Sequence, residues 1–162
     1  MDTIADPGLT TKPAAPVLAL DWGEKRVGVA VSDALSISIK RVEALRRSNW
    51  KQMLRQVEEL VLRFDAKTLV IGFPLQLNGA TGDAALNARA TALKFAQSLR
   101  VPVYLQDERL SSVEAEENLR EAGLKSETVS HLIDSEAAAV ILRDFLVTNQ
   151  QRRLVLPSDQ AS

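Results

Sequence analysis

Three short runs of almost purely apolar residues constrain this chain most: Val17-Leu18-Ala19-Leu20, Thr68-Leu69-Val70-Ile71 and the stretch from Val101 to Gln106. Each has the length of a strand, and each lacks the apolar–polar alternation of a half-exposed one, so all three read as buried strands. Two segments of helical spacing separate them. Met53, Leu54, Val57, Leu60, Val61 and Phe64 mark the first, and Leu86, Ala90, Leu93 and Ala96 mark the second, ending near Leu99. Buried strands joined through helices are β-α-β crossovers, which lay the strands side by side and parallel.

The other elements follow from local signals. Val27 to Ser32 returns from the first strand after a polar turn and makes a hairpin with it. Ile37 to Leu45 reads as a third strand, and its charges Lys40, Arg41 and Glu43 suit a sheet edge. Ser48 or Asn49 can cap the first helix. Gly72 and Pro74 end the second apolar run, and a polar loop with Asn78, Gly79 and Gly82 follows. Ser111 and Glu114 form a capping-box pattern whose helix stops near Gly123. A last helix is expected from near Ser130 to about Val147, with Val140, Ile141 and Phe145 inward. The expected fold is α/β, a mixed five-stranded sheet flanked by helices. Residues 1–16, rich in Pro and Thr, read as a flexible extension; 17–148 form the one domain; 149–162 form a polar tail.

A length of 162 residues suits a single domain with a real core. Cysteine is absent, which excludes disulfides and thiolate metal sites and fits a reducing cytoplasm. No apolar run approaches a membrane span. The net charge of −1 is not that of a generally basic nucleic-acid binder, but it is unevenly spread. From Asp21 to Arg55 there are eight Lys/Arg against four Asp/Glu; from Asp107 to Asp144 there are ten Asp/Glu against four Lys/Arg. The first segment can meet a polyanion and the second can supply acids to a cation, unless both are simply solvated faces.

Three segments carry residues suited to chemistry. Asp21 closes the first apolar run, ahead of the turn Trp22-Gly23-Glu24-Lys25-Arg26. A carboxylate at the end of a buried strand is held rigidly, which favours a ligand for magnesium; the plainer reading is a solvated hairpin turn. Asp107-Glu108-Arg109 follows the third run. Strand alternation allows only one of Asp107 and Glu108 to share a face with Asp21, and parity alone leaves open which. The Arg109 guanidinium suits a phosphate, if the segment is more than a charged rim. Asp134 precedes Ser135-Glu136-Ala137-Ala138-Ala139. The alanines let a helix pack close to a sheet and bring Asp134 to the strand ends, unless Asp134 or Ser135 caps that helix. Two strand-end acids and one helix acid would serve metal-assisted phosphodiester cleavage. His131 is the only histidine, so no triad with Ser111 or Ser112 and no His-rich zinc site is available. Trp22 and Trp50 are too few for a base-stacking platform.

Taken together, the segments resemble the YqgF family of RuvC-like nucleases, associated with Holliday junction resolution or pre-16S rRNA processing. The resemblance rests on Leu20 to Asp33, Val70 to Leu75, Asp107 to Ser112, and Ile133-Asp134 with Ala137 and Ala138, and it spans roughly Val17 to Val147. Trp22 departs from the aliphatic or smaller residue more usual in the family. The resemblance implies an RNase H-like (RuvC-like) fold, Mg²⁺ or Mn²⁺ as cofactor, and a bacterial cytoplasmic setting. It assigns the metal-binding and catalytic acids to Asp21, Glu108 and Asp134, and substrate contacts to Lys25, Arg26 and Arg109. The expected activity is an endonuclease acting on structured RNA, in 5′-end processing of pre-16S rRNA within the small-subunit precursor. Two alternatives stand beside it: a resolvase of branched DNA, for which a homodimer is the natural form, and a non-catalytic ribosome-assembly factor. An actin-like ATPase needs two such domains, and the chain has room for one.

Overall fold

The computed structural model describes residues 12–73, 82–107, 121, 126–147 and 152–158. Six strands, β1 (Val17–Trp22), β2 (Arg26–Ser32), β3 (Ile39–Arg46), β4 (Thr68–Phe73), β5 (Val103–Asp107) and β6 (Arg152–Val155), form one sheet in the order β3-β2-β1-β4-β5-β6. Three helices are described: α1 (Trp50–Arg63), α2 (Asp83–Ser98) and α3 (Ser126–Val147). The β1–β2, β2–β3 and β5–β6 pairs are antiparallel, and β1–β4 and β4–β5 are parallel. The mixed α/β architecture expected from the apolar runs is present. The strand count is not: the sheet has six strands rather than five, and the sixth comes from the tail expected to be merely polar.

The hairpin turn between β1 and β2 depends on a glycine. The Gly23 N–H donates to the Arg26 carbonyl at 3.1 Å, and a Cβ at Gly23 would sit 2.7 Å from that oxygen. The last part of the proposed N-terminal extension is held in place, for the Ala14 carbonyl accepts from the Thr68 hydroxyl at 2.7 Å and the Pro16 carbonyl from the Lys67 N–H at 2.8 Å. Asn49 caps α1 by accepting from the Gln52 N–H at 2.9 Å. The capping-box helix and the loop around Asn78 lie outside the described residues.

The sheet separates two apolar layers. On one face Leu18, Leu20, Leu69, Ile71, Val103 and Leu105 pack against Met53, Val57 and Leu60 of α1 and Ala92, Leu93, Phe95 and Ala96 of α2. On the other, Val17, Ala19, Ala30 and Val70 pack against Ala138, Ala139, Ile141, Leu142 and Phe145 of α3. Burying each large side chain contributes roughly 1.5–3 kcal/mol. Small residues on both sides of the second layer let α3 lie close to the sheet. Among the described residues no helix is long and apolar enough to cross a membrane.

Candidate active site

The strand ends meet at one edge of the molecule because β1, β4 and β5 run in parallel. Leu20, Ile71 and Leu105 stand in one row across these strands. The next residues are Asp21, Gly72 and Gln106. Side chains alternate between faces along a strand, so Asp21 shares the α3 face with Val17 and Ala19. Gln106 has the parity of Tyr104, which packs edge-on to Phe145 of α3 with ring centroids 5.2 Å apart. Asp21 is half-buried, and Gln106 is fully buried with neither Oε1 nor Nε2 hydrogen-bonded. Gly72 between them contributes no side chain.

Helix α3 passes over this face near the same row. The Ser135 hydroxyl donates to the Val42 carbonyl of β3 at 2.7 Å. Val42 pairs with Val29, and Val29 pairs with Leu20, one residue short of Asp21. The helix begins at Ser126, so Asp134 and Ser135 lie well inside it, and neither caps it. Buried Glu136 is ion-paired with Arg41 of β3, which holds the arginine pKa above its usual value, chiefly through the hydrogen bond to that carboxylate. Ser135 and Glu136 thus fix how α3 sits on the sheet beside Asp134.

The predicted residues fall as follows. Asp21 is the penultimate residue of β1 and pairs with Gly28 of β2. Lys25 and Arg26 are exposed in the adjoining turn and at the start of β2. Asp107 ends β5 at a register position of the same parity as Val103 and Leu105, opposite to that of Asp21. Glu108 and Arg109 lie outside the described residues, and Asp134 is described as a helix position only. Among the described residues no three metal-ligating side chains form a group.

Trp22, whose parity is opposite to that of Asp21, turns to the other layer. Its ring meets Phe95 edge-on at 5.6 Å, and the Arg47 guanidinium lies 4.7 Å from its centroid. Arg47 also donates to the Gly23 carbonyl at 2.5 Å, and its N–H donates to the Lys25 carbonyl at 2.9 Å. The turn behind Asp21 is therefore braced from outside by Arg47, a contact that the sequence did not suggest. Arg26 pairs across the β2–β3 ladder with Arg46, and both are exposed.

A family model described as "RuvX: Holliday junction resolvase" matches residues 15–148. The chain belongs to the RuvX family. Its relatives within the family include two named "Putative pre-16S rRNA nuclease". That of Syntrophomonas wolfei is 38% identical over 80% of this chain and 92% of the relative. That of Syntrophus aciditrophicus is 34% identical over 88% and 94% respectively. Among solved structures, "T. thermophilus RuvC in complex with Holliday junction substrate" is similar with a TM-score of 0.50 at 21% identity, over 86% of this chain and 98% of that one. That likeness extends the family assignment to the fold, which is RNase H-like as the motif pattern implied.

Proposed function

We propose that this RuvX family member is a metal-dependent endonuclease that cleaves nucleic-acid phosphodiesters in 5′-end processing of pre-16S rRNA. The observation that carries the reading is Asp21, a half-buried carboxylate on the α3 face where β1, β4 and β5 end together. The names of the relatives supply the substrate class. Position 108 has the parity of Gln106, so continued strand alternation would bring Glu108 rather than Asp107 to the face of Asp21. Asp134, on the helix that crosses that face, is the third acid.

These residues suit a hard divalent cation. Carboxylate oxygens are the ligands Mg²⁺ and Mn²⁺ prefer, and Asp21 offers one from a rigid strand at the edge where β1, β4 and β5 end. Asp21, Glu108 and Asp134 would hold the ion. When bound it activates water and offsets charge at the leaving oxygen. The protein's own part is to fix the carboxylates on rigid elements and to orient the phosphates through Lys25, Arg26 and Arg109. A cytoplasmic location agrees with this task.

The family's description favours a second reading, resolution of branched DNA by a dimer. Purified protein should be offered precursor 16S rRNA, four-way junction DNA and single strands, with Mg²⁺, Mn²⁺ or excess chelator. Metal-dependent cleavage of the precursor is expected. Symmetric cutting of the junction alone selects the resolvase, and binding without cleavage of any substrate selects an assembly factor.

A further inference from the structure

Gln106 stands out among the buried residues that the catalytic reading leaves unused. It is 0% exposed, and both polar atoms of its amide lack a hydrogen-bond partner. A buried amide left unpaired is costly, and the strand residues that lead up to it are Val103, Tyr104 and Leu105. An apolar residue would serve packing better. The amide also has a defined place: the α3 face, in the row of Asp21, with only Gly72 between. Adjacent strands are about 4.8 Å apart, so the backbones of Asp21 and Gln106 are roughly 10 Å apart, a span that a carboxylate, an ion with one of its waters and an amide can bridge.

We propose that Gln106 is a positioning residue of the metal site, its amide hydrogen-bonding the water shell of the divalent ion held by Asp21. The proposal rests on the metal-dependent reading above. Oε1 accepts from a water of that shell, and Nε2 is free to donate to a neighbouring oxygen. Mg²⁺ and Mn²⁺ bound by few carboxylates retain several waters, and an amide serves their hydrogen bonds without adding charge. Outer partners of this kind typically change metal affinity about 10–100-fold when lost.

The test compares wild type, Gln106→Met, Gln106→Asn and Asp21→Asn by Mn²⁺ calorimetry and by thermal melts with and without Mn²⁺. Methionine keeps the size and removes the amide. It should leave the metal-free protein as stable as wild type or more so, while weakening Mn²⁺ binding by about 10-fold or more. Asparagine withdraws the amide by one methylene; it should bind with intermediate affinity, and it serves alone if the methionine variant folds poorly. Asp21→Asn should abolish the Mn²⁺-dependent rise in melting temperature. Wild-type affinity in either Gln106 variant, with Asp21→Asn defective, overturns the role of Gln106 and leaves the metal reading standing. A wild-type protein that binds no Mn²⁺ overturns both.

Discussion

Asp21 differs from the other acids near it in having a strand on each side and a helix crossing its face. Exchanging it for asparagine removes a charge and keeps the shape, so cleavage should be lost while the far-UV spectrum and melting temperature stay close to wild type. Asp107→Asn should be mild, because the register parity of Asp107 is that of Leu105. The reverse ranking, in a cleavage assay of both variants, would move the proposed ligand role from Glu108 to Asp107. At Glu136 the issue is stability. Arg41→Ala leaves a buried carboxylate without its partner and should cost roughly 1–3 kcal/mol in denaturant unfolding, with Glu136→Gln in the same background recovering part of it. Asp33 gives a pH signature. Its carboxylate accepts from the Ile37 N–H at 2.7 Å, the main cause of a pKa below 3.8. A folded-state pKa below the unfolded one makes a contribution that is complete above the unfolded value and is lost as pH falls through the folded value. The β2–β3 turn should therefore loosen only as pH falls below the usual aspartate range, which a carboxyl titration followed by NMR would show and Asp33→Asn would remove.

The elements respond according to what positions them. Asn49→Ala should weaken α1 by about 1 kcal/mol, measured by urea unfolding, since only one side-chain cap is lost. Ala138→Leu should cost more, about 1–3 kcal/mol, and should reduce cleavage as well, because α3 would be lifted from the face of Asp21. The same distinction explains what was legible in the sequence. The buried strands β1, β4 and β5 and the periodic helices announce themselves because their own side chains demand burial. Strand β6 does not: Arg152-Arg153-Leu154-Val155 becomes a strand because β5 offers an edge, a tertiary fact invisible to local pattern. Helix α3 starts at Ser126, four residues before the Ser130 that the sequence suggests, so Asp134 and Ser135 lie inside the helix and cannot cap it. The strand-end position of Asp21 could be read directly from the apolar run before it. Gln106 could have been noticed as the lone amide in a buried strand, but its significance lies in its row with Asp21, which requires the β1–β4–β5 register.

For the molecule as a whole, metal and salt should act in opposite directions. Ligand binding to the folded state alone stabilises it, by about 2.7 kcal/mol at a free concentration a hundred times Kd. Mn²⁺ should accordingly raise the melting temperature, and chelation should reverse the rise. Nucleic-acid binding through the proposed contacts Lys25, Arg26 and Arg109 should weaken steadily with salt and depend little on base sequence, as expected of phosphate contacts. Charge-removing substitutions at Arg26 and Arg109 should lower affinity for every substrate alike in filter binding. Among the described residues the open sheet also leaves two borders, one at β3 and one at β6. Lys40, Arg41, Glu43 and Arg46 are exposed along the first, and Arg153 on the second, which spans only four residues. A second molecule that tried to extend the ladder would have to bury these ions beside its own, so the borders repel the strand-to-strand polymerisation that threatens unpaired edges. Their charges thus help keep the protein dispersed in a crowded solution, and Lys40→Val with Glu43→Val should bring turbidity at concentrations where the wild type stays clear.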